Sequence, residues 1–117
     1  MSDIWPTELR IKDHGRNFEM QLESGEVLSI PDELLRVESP SAEVKGHGPG
    51  QETLVWGKRN VLIMKAAPVG NYAVRLHFND GHDTGLFTWA YLADLGRNQI
   101  EKMVAYEEKL KVAGVQR

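Results

Sequence analysis

The residues best equipped for chemistry gather in two short glycine-containing stretches. In Asn79-Asp80-Gly81-His82-Asp83 an imidazole stands among carboxylates. A carboxylate beside a histidine orients the ring and raises its basicity, so His82 with Asp83 is a candidate donor pair for a divalent metal, iron or zinc. In Gly46-His47-Gly48-Pro49-Gly50 the glycines let the backbone approach a ligand and present His47 to a metal or an anion. His47, His82 and Asp83 would together make a two-histidine, one-carboxylate iron site if the fold brought them to one point. The plainer reading is that Asp80, His82 and Asp83 are polar turn residues and that the glycine-rich stretch is an ordinary loop.

Other chemistries lack their spacing. The 46–50 stretch misses the dinucleotide fingerprint, because Gln51 stands where the third glycine belongs. Gly57-Lys58-Arg59 is no P-loop: Glu52 occupies the first glycine position and Arg59 replaces serine or threonine. Ser24, Ser39 and Ser41 have no glycine elbow around them. Tyr72, Phe78, Phe87, Trp89 and Tyr91 read as core, since a base-stacking platform needs basic residues interleaved and that segment offers mainly Arg75.

The elements that must position these groups follow from periodicity. Glu8–Lys12, Asn17–Leu22 and Val27–Ile30 alternate as strands, with turns at His14-Gly15 and Ser24-Gly25. Pro31-Asp32-Glu33 suits the first turn of a short helix through Arg36. Residues 39–50 read as loop, Leu54–Trp56 as a short strand, and Val61–Ala66 as a central strand. Tyr72–Phe78 alternates, with Tyr72, Val74, Leu76 and Phe78 facing inward. Asn79-Asp80-Gly81 is a type I′ hairpin signal. Thr88–Leu95 reads as a helix stopped by Gly96. Residues 98–112 read as the longest helix, with a stripe of Ile100, Met103, Val104 and Leu110. The predicted class is α+β, with mostly antiparallel short strands in two hairpin-plus-short-helix units and a C-terminal helix. One domain is expected over 1–117, its core at about 6–96.

Composition removes whole classes of function. There is no cysteine, which excludes thiolate zinc sites, cysteine-held iron–sulfur clusters and cysteine nucleophiles in this chain. Net charge is −3, so nothing draws the chain generally to nucleic acid or anionic membrane. No signal-peptide core or bilayer-length apolar run occurs, and a cytoplasmic location is expected.

A series of motifs carries a family resemblance: Arg36-Val37-Glu38-Ser39-Pro40-Ser41-Ala42-Glu43-Val44, Gly46-His47-Gly48-Pro49-Gly50-Gln51, Gly57-Lys58-Arg59, Pro68-Val69-Gly70-Asn71-Tyr72, Asp80-Gly81-His82-Asp83-Thr84-Gly85 and Trp89. The chain resembles the DUF971 family, the gamma-butyrobetaine hydroxylase-like N-terminal domain, from Pro6 to Gly96. In the hydroxylases this module precedes an iron- and 2-oxoglutarate-dependent oxygenase domain. The 117 residues here are taken up by the module, so the resemblance implies no oxygenase activity. It also implies a three-cysteine, one-histidine zinc site, whose positions fall on Ser39, Ser41, Val44 and His82. Three of those four ligands are missing. Relatives fused to an iron–sulfur P-loop ATPase imply an accessory role in handling iron or iron–sulfur proteins.

The expectation is thus a small non-catalytic module that docks a protein partner. Its surface would comprise Ser39, Ser41, Gly46, Gly48, Gln51, Lys58, Arg59, Asp80 and Trp89, and no nucleic acid or membrane is involved. The rival is a mononuclear metal protein using His82, Asp83 and His47. A third reading places a small anion at Gly46–Gly50 with Lys58 and Arg59.

Overall fold

Alternation in Asn17–Leu22 sets Phe18, Met20 and Leu22 on one face, which only burial can satisfy. In the computed structural model, which describes residues 4–45 and 53–117, all three are buried. They lie on β2 (Asn17–Leu22), the middle strand of an antiparallel meander with β1 (Pro6–Lys12) and β3 (Val27–Pro31). Phe18 stands opposite Ile11 and Ile30, and Met20 opposite Leu9 and Leu28. A second antiparallel meander joins β4 (Ile63–Val69), β5 (Ala73–Phe78) and β6 (Leu86–Thr88), in that order.

Each meander runs straight into a helix. β3 leads into α1 (Asp32–Val37), and β6 leads into α3 (Trp89–Arg97). Thr88 caps α3, its hydroxyl accepting the Tyr91 N–H at 3.2 Å. A single turn, α2 (Ala42–Lys45), and a long helix, α4 (Gln99–Ala113), complete the described elements. The architecture is α+β, with two alike halves packed on one core.

That core takes Phe18, Met20 and Ile30 from the first sheet, Val74, Leu76 and Phe87 from the second, and Leu92 and Leu95 from α3. A smaller cluster of Val37, Tyr106 and Leu110 holds α4, with Met103, Leu54, Val55 and Val115 against it. The two sheets meet at the tight turn Asp13–Gly15. All three of its residues have positive φ, and a Cβ on Gly15 would stand 2.6 Å from the Ile63 carbonyl oxygen.

Several local expectations change. Leu54–Trp56 forms no strand; Val55 instead offers its carbonyl to the Tyr106 hydroxyl at 2.7 Å. The 39–50 loop contains α2, and the central strand of the second sheet is β5 rather than β4. Tyr72 sits in the turn before β5 and is half exposed. In the Asn79–Gly81 turn only Gly81 has positive φ, and its N–H reaches Phe78 O at 3.1 Å. That matches a turn ending in a left-handed glycine bulge, not type I′. Gly96 lies inside α3, where a Cβ would stand 3.1 Å from Leu28 Cβ. The buried face of α4 is Tyr106 and Leu110, while Ile100 and Val104 face solvent. None of the helices among the described residues is long and apolar enough to cross a membrane.

Gly15→Ala forces a side chain into left-handed backbone and against Ile63. Urea denaturation should show a loss of about 2–4 kcal/mol. A loss below about 0.5 kcal/mol would mean that the sheet junction yields freely.

Candidate functional site

The turn after β5 aims Asp80 back toward α1. Its Oδ2 accepts Lys58 Nζ at 2.6 Å and Arg36 Nε at 2.8 Å, while Oδ1 accepts the His82 N–H at 3.1 Å. One carboxylate thus ties α1, the 58 region and the β5–β6 connection together. Burial alone would raise its pKa. The Lys58 ammonium, the His82 amide and the Arg36 guanidinium outweigh that and hold it at about 2. Arg36 Nη1 is buried with no hydrogen-bond partner among the described residues.

Two residues on, His82 is buried, and its Nε2 lies 2.9 Å from Ser39 Oγ and 3.4 Å from Ser41 Oγ. The Ser41 N–H also reaches Ser39 Oγ at 3.4 Å. Ser41 then opens α2, its carbonyl accepting from the N–H groups of Val44 and Lys45. Gly85 runs close by: a Cβ there would meet Ser39 Oγ at 2.3 Å. Ser39 is fully buried, so this serine–histidine pair is closed to substrate and acts as a hydrogen-bonded joint.

The joint occupies the positions that the family resemblance assigns to zinc. Ser39, Ser41 and His82 do converge. Their chemistry does not fit the metal: structural zinc takes thiolates and imidazole, whereas here two neutral hydroxyls sit at hydrogen-bond distance and Val44 offers no donor. Among the described residues no three of His, Asp and Glu are arranged to hold a metal. His82 and Asp83 also diverge. Asp83 is exposed, and its Oδ2 faces His77 Nδ1 at 3.7 Å while His82 points inward. His47, Gly46, Gly48 and Gln51 lie outside the described residues.

The expected docking surface needs correction. Ser39, Ser41 and Trp89 are buried, because the serines bond His82 and the Trp89 indole donates to Asn71 O at 2.9 Å. Lys58, Arg59 and Asp80 remain at the surface. Beside them Trp56 is 57% exposed, a residue the periodicity had given to a strand. Arg36 was also missed, and no local signal marks it: its partner is 44 residues away.

The family model of gamma-butyrobetaine hydroxylase-like N-terminal domains matches residues 9–93. The chain belongs to this family. One protein solved by NMR is 45% identical over 99% of this chain and 86% of its own, with a TM-score of 0.85. A second NMR structure is 37% identical over 99% and 91%, with a TM-score of 0.84. A crystal structure from Acidithiobacillus ferrooxidans, of a DUF971 family protein of unknown function, is 41% identical over 78% of this chain and 91% of its own, with a TM-score of 0.64. No curated protein matches the chain.

The depressed pKa of Asp80 makes stability depend on pH. Its ordinary value is 3.8 and its folded value about 2, so its contribution is complete above about pH 4 and is lost as pH falls toward 2. Allowing for solvent screening, the loss is about 1 kcal/mol. Asp32 works oppositely: burial raises its pKa despite the Glu33 amide and Arg16, so its protonation favours the fold. The Asp80 contribution is therefore read from the difference between wild type and Asp80→Asn. That difference should shrink between pH 4 and 2; a constant difference across the window counts against the geometry.

His82→Ala strips two buried hydroxyls of an imidazole partner and should cost about 1–3 kcal/mol by thermal or urea unfolding. Zinc or a chelator should leave the melting temperature of the wild type in place. A zinc-dependent rise would show that the hydroxyl set binds metal after all.

Proposed function

We propose that this domain is a cytoplasmic docking module, without chemistry of its own, that captures a partner protein beside Asp80. The observation that carries this reading is the pairing of a fixed charged ridge with an exposed aromatic. Asp80 holds Lys58 and Arg36 in place, and Trp56 projects into solvent two residues from Lys58. Tryptophan and arginine dominate binding hot spots, and a pre-ordered surface loses less entropy on docking. Arg59 adds a cation whose backbone carbonyl is pinned by Arg16 Nη1 at 3.2 Å. The partner that fits presents an apolar notch for Trp56 with carboxylates around it.

An accessory role with iron or iron–sulfur proteins suits this reading. A cysteine-free chain would dock a cluster-bearing protein and supply none of the ligands.

The test is quantitative affinity capture from cell extract with wild type, Trp56→Ala, Arg59→Glu and a distant control, Lys12→Glu. A partner retained by wild type and the control should fall at least about tenfold with Trp56→Ala, the loss expected of a hot-spot residue. Melting temperatures of all four should agree. Equal capture by Trp56→Ala and Arg59→Glu would sink the assignment.

A further inference from the structure

A second feature lies on α4, apart from the ridge. A cleft of about 630 Å³ opens between α4, the end of α1, α2 and the stretch 53–55. That size suits a small molecule. One wall is apolar: Val37, Leu54 and Val55, with the Tyr106 ring. The Tyr106 hydroxyl is already committed to Val55 O, which fixes the wall and leaves no polar need there.

The other wall is cationic. Lys102 and Lys109 stand seven residues apart on one face of α4, with the small Ala105 between them. Lys45 closes a third side. Two of these lysines are matched. Lys45 Nζ lies 3.0 Å from Glu38 and 5.8 Å above the Tyr91 ring, and Lys102 Nζ lies 3.2 Å from Asp94. Lys109 has no ion pair among the described residues. Among the described residues the cleft therefore combines an apolar wall with one positive charge, Lys109, that has no ion pair.

The geometry points to a binding site for a small organic carboxylate with an apolar tail. Its head pairs with Lys109, supported by Lys102 across the Ala105 gap. Its tail lies on Leu54, Val55 and Tyr106. An inorganic anion would leave the apolar wall wet, and a cation would meet three lysines against one carboxylate, Glu38, which Lys45 already holds.

The test is an amide NMR titration of the full chain with octanoate, octylammonium and acetate. Octanoate should give saturable shifts at Leu54, Val55, Ala105 and Lys109, with Kd on the order of 1 mM for a ligand of that size. Octylammonium and acetate should not saturate there. Lys109→Glu, a change at an exposed position, should weaken octanoate at least tenfold at unchanged melting temperature. The proposal is overturned if octanoate shifts fail to saturate at those residues. Equal binding of either comparator, or of octanoate by Lys109→Glu, overturns it as well.

Discussion

The carboxylate of Asp80 is the constraint around which the surface is built. Two cations share one of its oxygens and a backbone amide takes the other. Removing water from such a cluster strengthens the attractions and raises the cost of any unpaired member. The net result is a cross-link between three stretches of chain that have no sequence proximity. It also fixes the backbone at His82, and so aims the imidazole at Ser39 and Ser41. In this family member a hydrogen-bonded joint stands at the positions the resemblance gives to a metal, and the connection it makes, between the start of α2 and the β5–β6 turn, is intact.

Charge is also used below the surface. Asp32 and Glu33 begin α1, where acids suit the positive helix end, yet both are buried. Each is answered from afar. Arg16 faces Asp32 at 3.4 Å, and Arg117 forms a two-pronged pair with Glu33 at 2.7–3.2 Å. Arg117 therefore ties the last residues to α1, and Gly57 N–H, bonded to Gln116 O at 3.1 Å, ties them to the 57 region. Apolar packing sets the two sheets together, whereas ion pairs decide how the connecting segments lie over them.

Strand periodicity made much of the fold legible. Phe18, Met20, Leu22, Val74, Leu76 and Phe78 declare their faces by alternation alone, and all six are buried. Thr88, read from the sequence as the first helical residue, is the cap of α3 instead. Periodicity failed where a helix packs by few residues: Ile100 and Val104 share a face in the pattern but lie mostly in solvent. Gly96 looked like a helix stop because close packing on Leu28 is a tertiary fact. The candidate site was legible as residue types and not as roles. Asp80 and His82 stood out, but burial decides that His82 is a joint. The Arg36 partnership spans 44 positions and leaves no trace in local sequence.

The attachment of α4 has a consequence for how the domain breathes. The helix is held by Tyr106 and Leu110 in a small cluster of its own, and half-buried Met103 bridges that cluster to the main core of two sheets and α3. A unit with so small a buried face is expected to open at lower free energy than the sheets. Its amides should therefore exchange with solvent while Phe18 and Leu76 stay packed. Hydrogen exchange is thus expected to reach α4, the longest described helix, before it reaches the sheets.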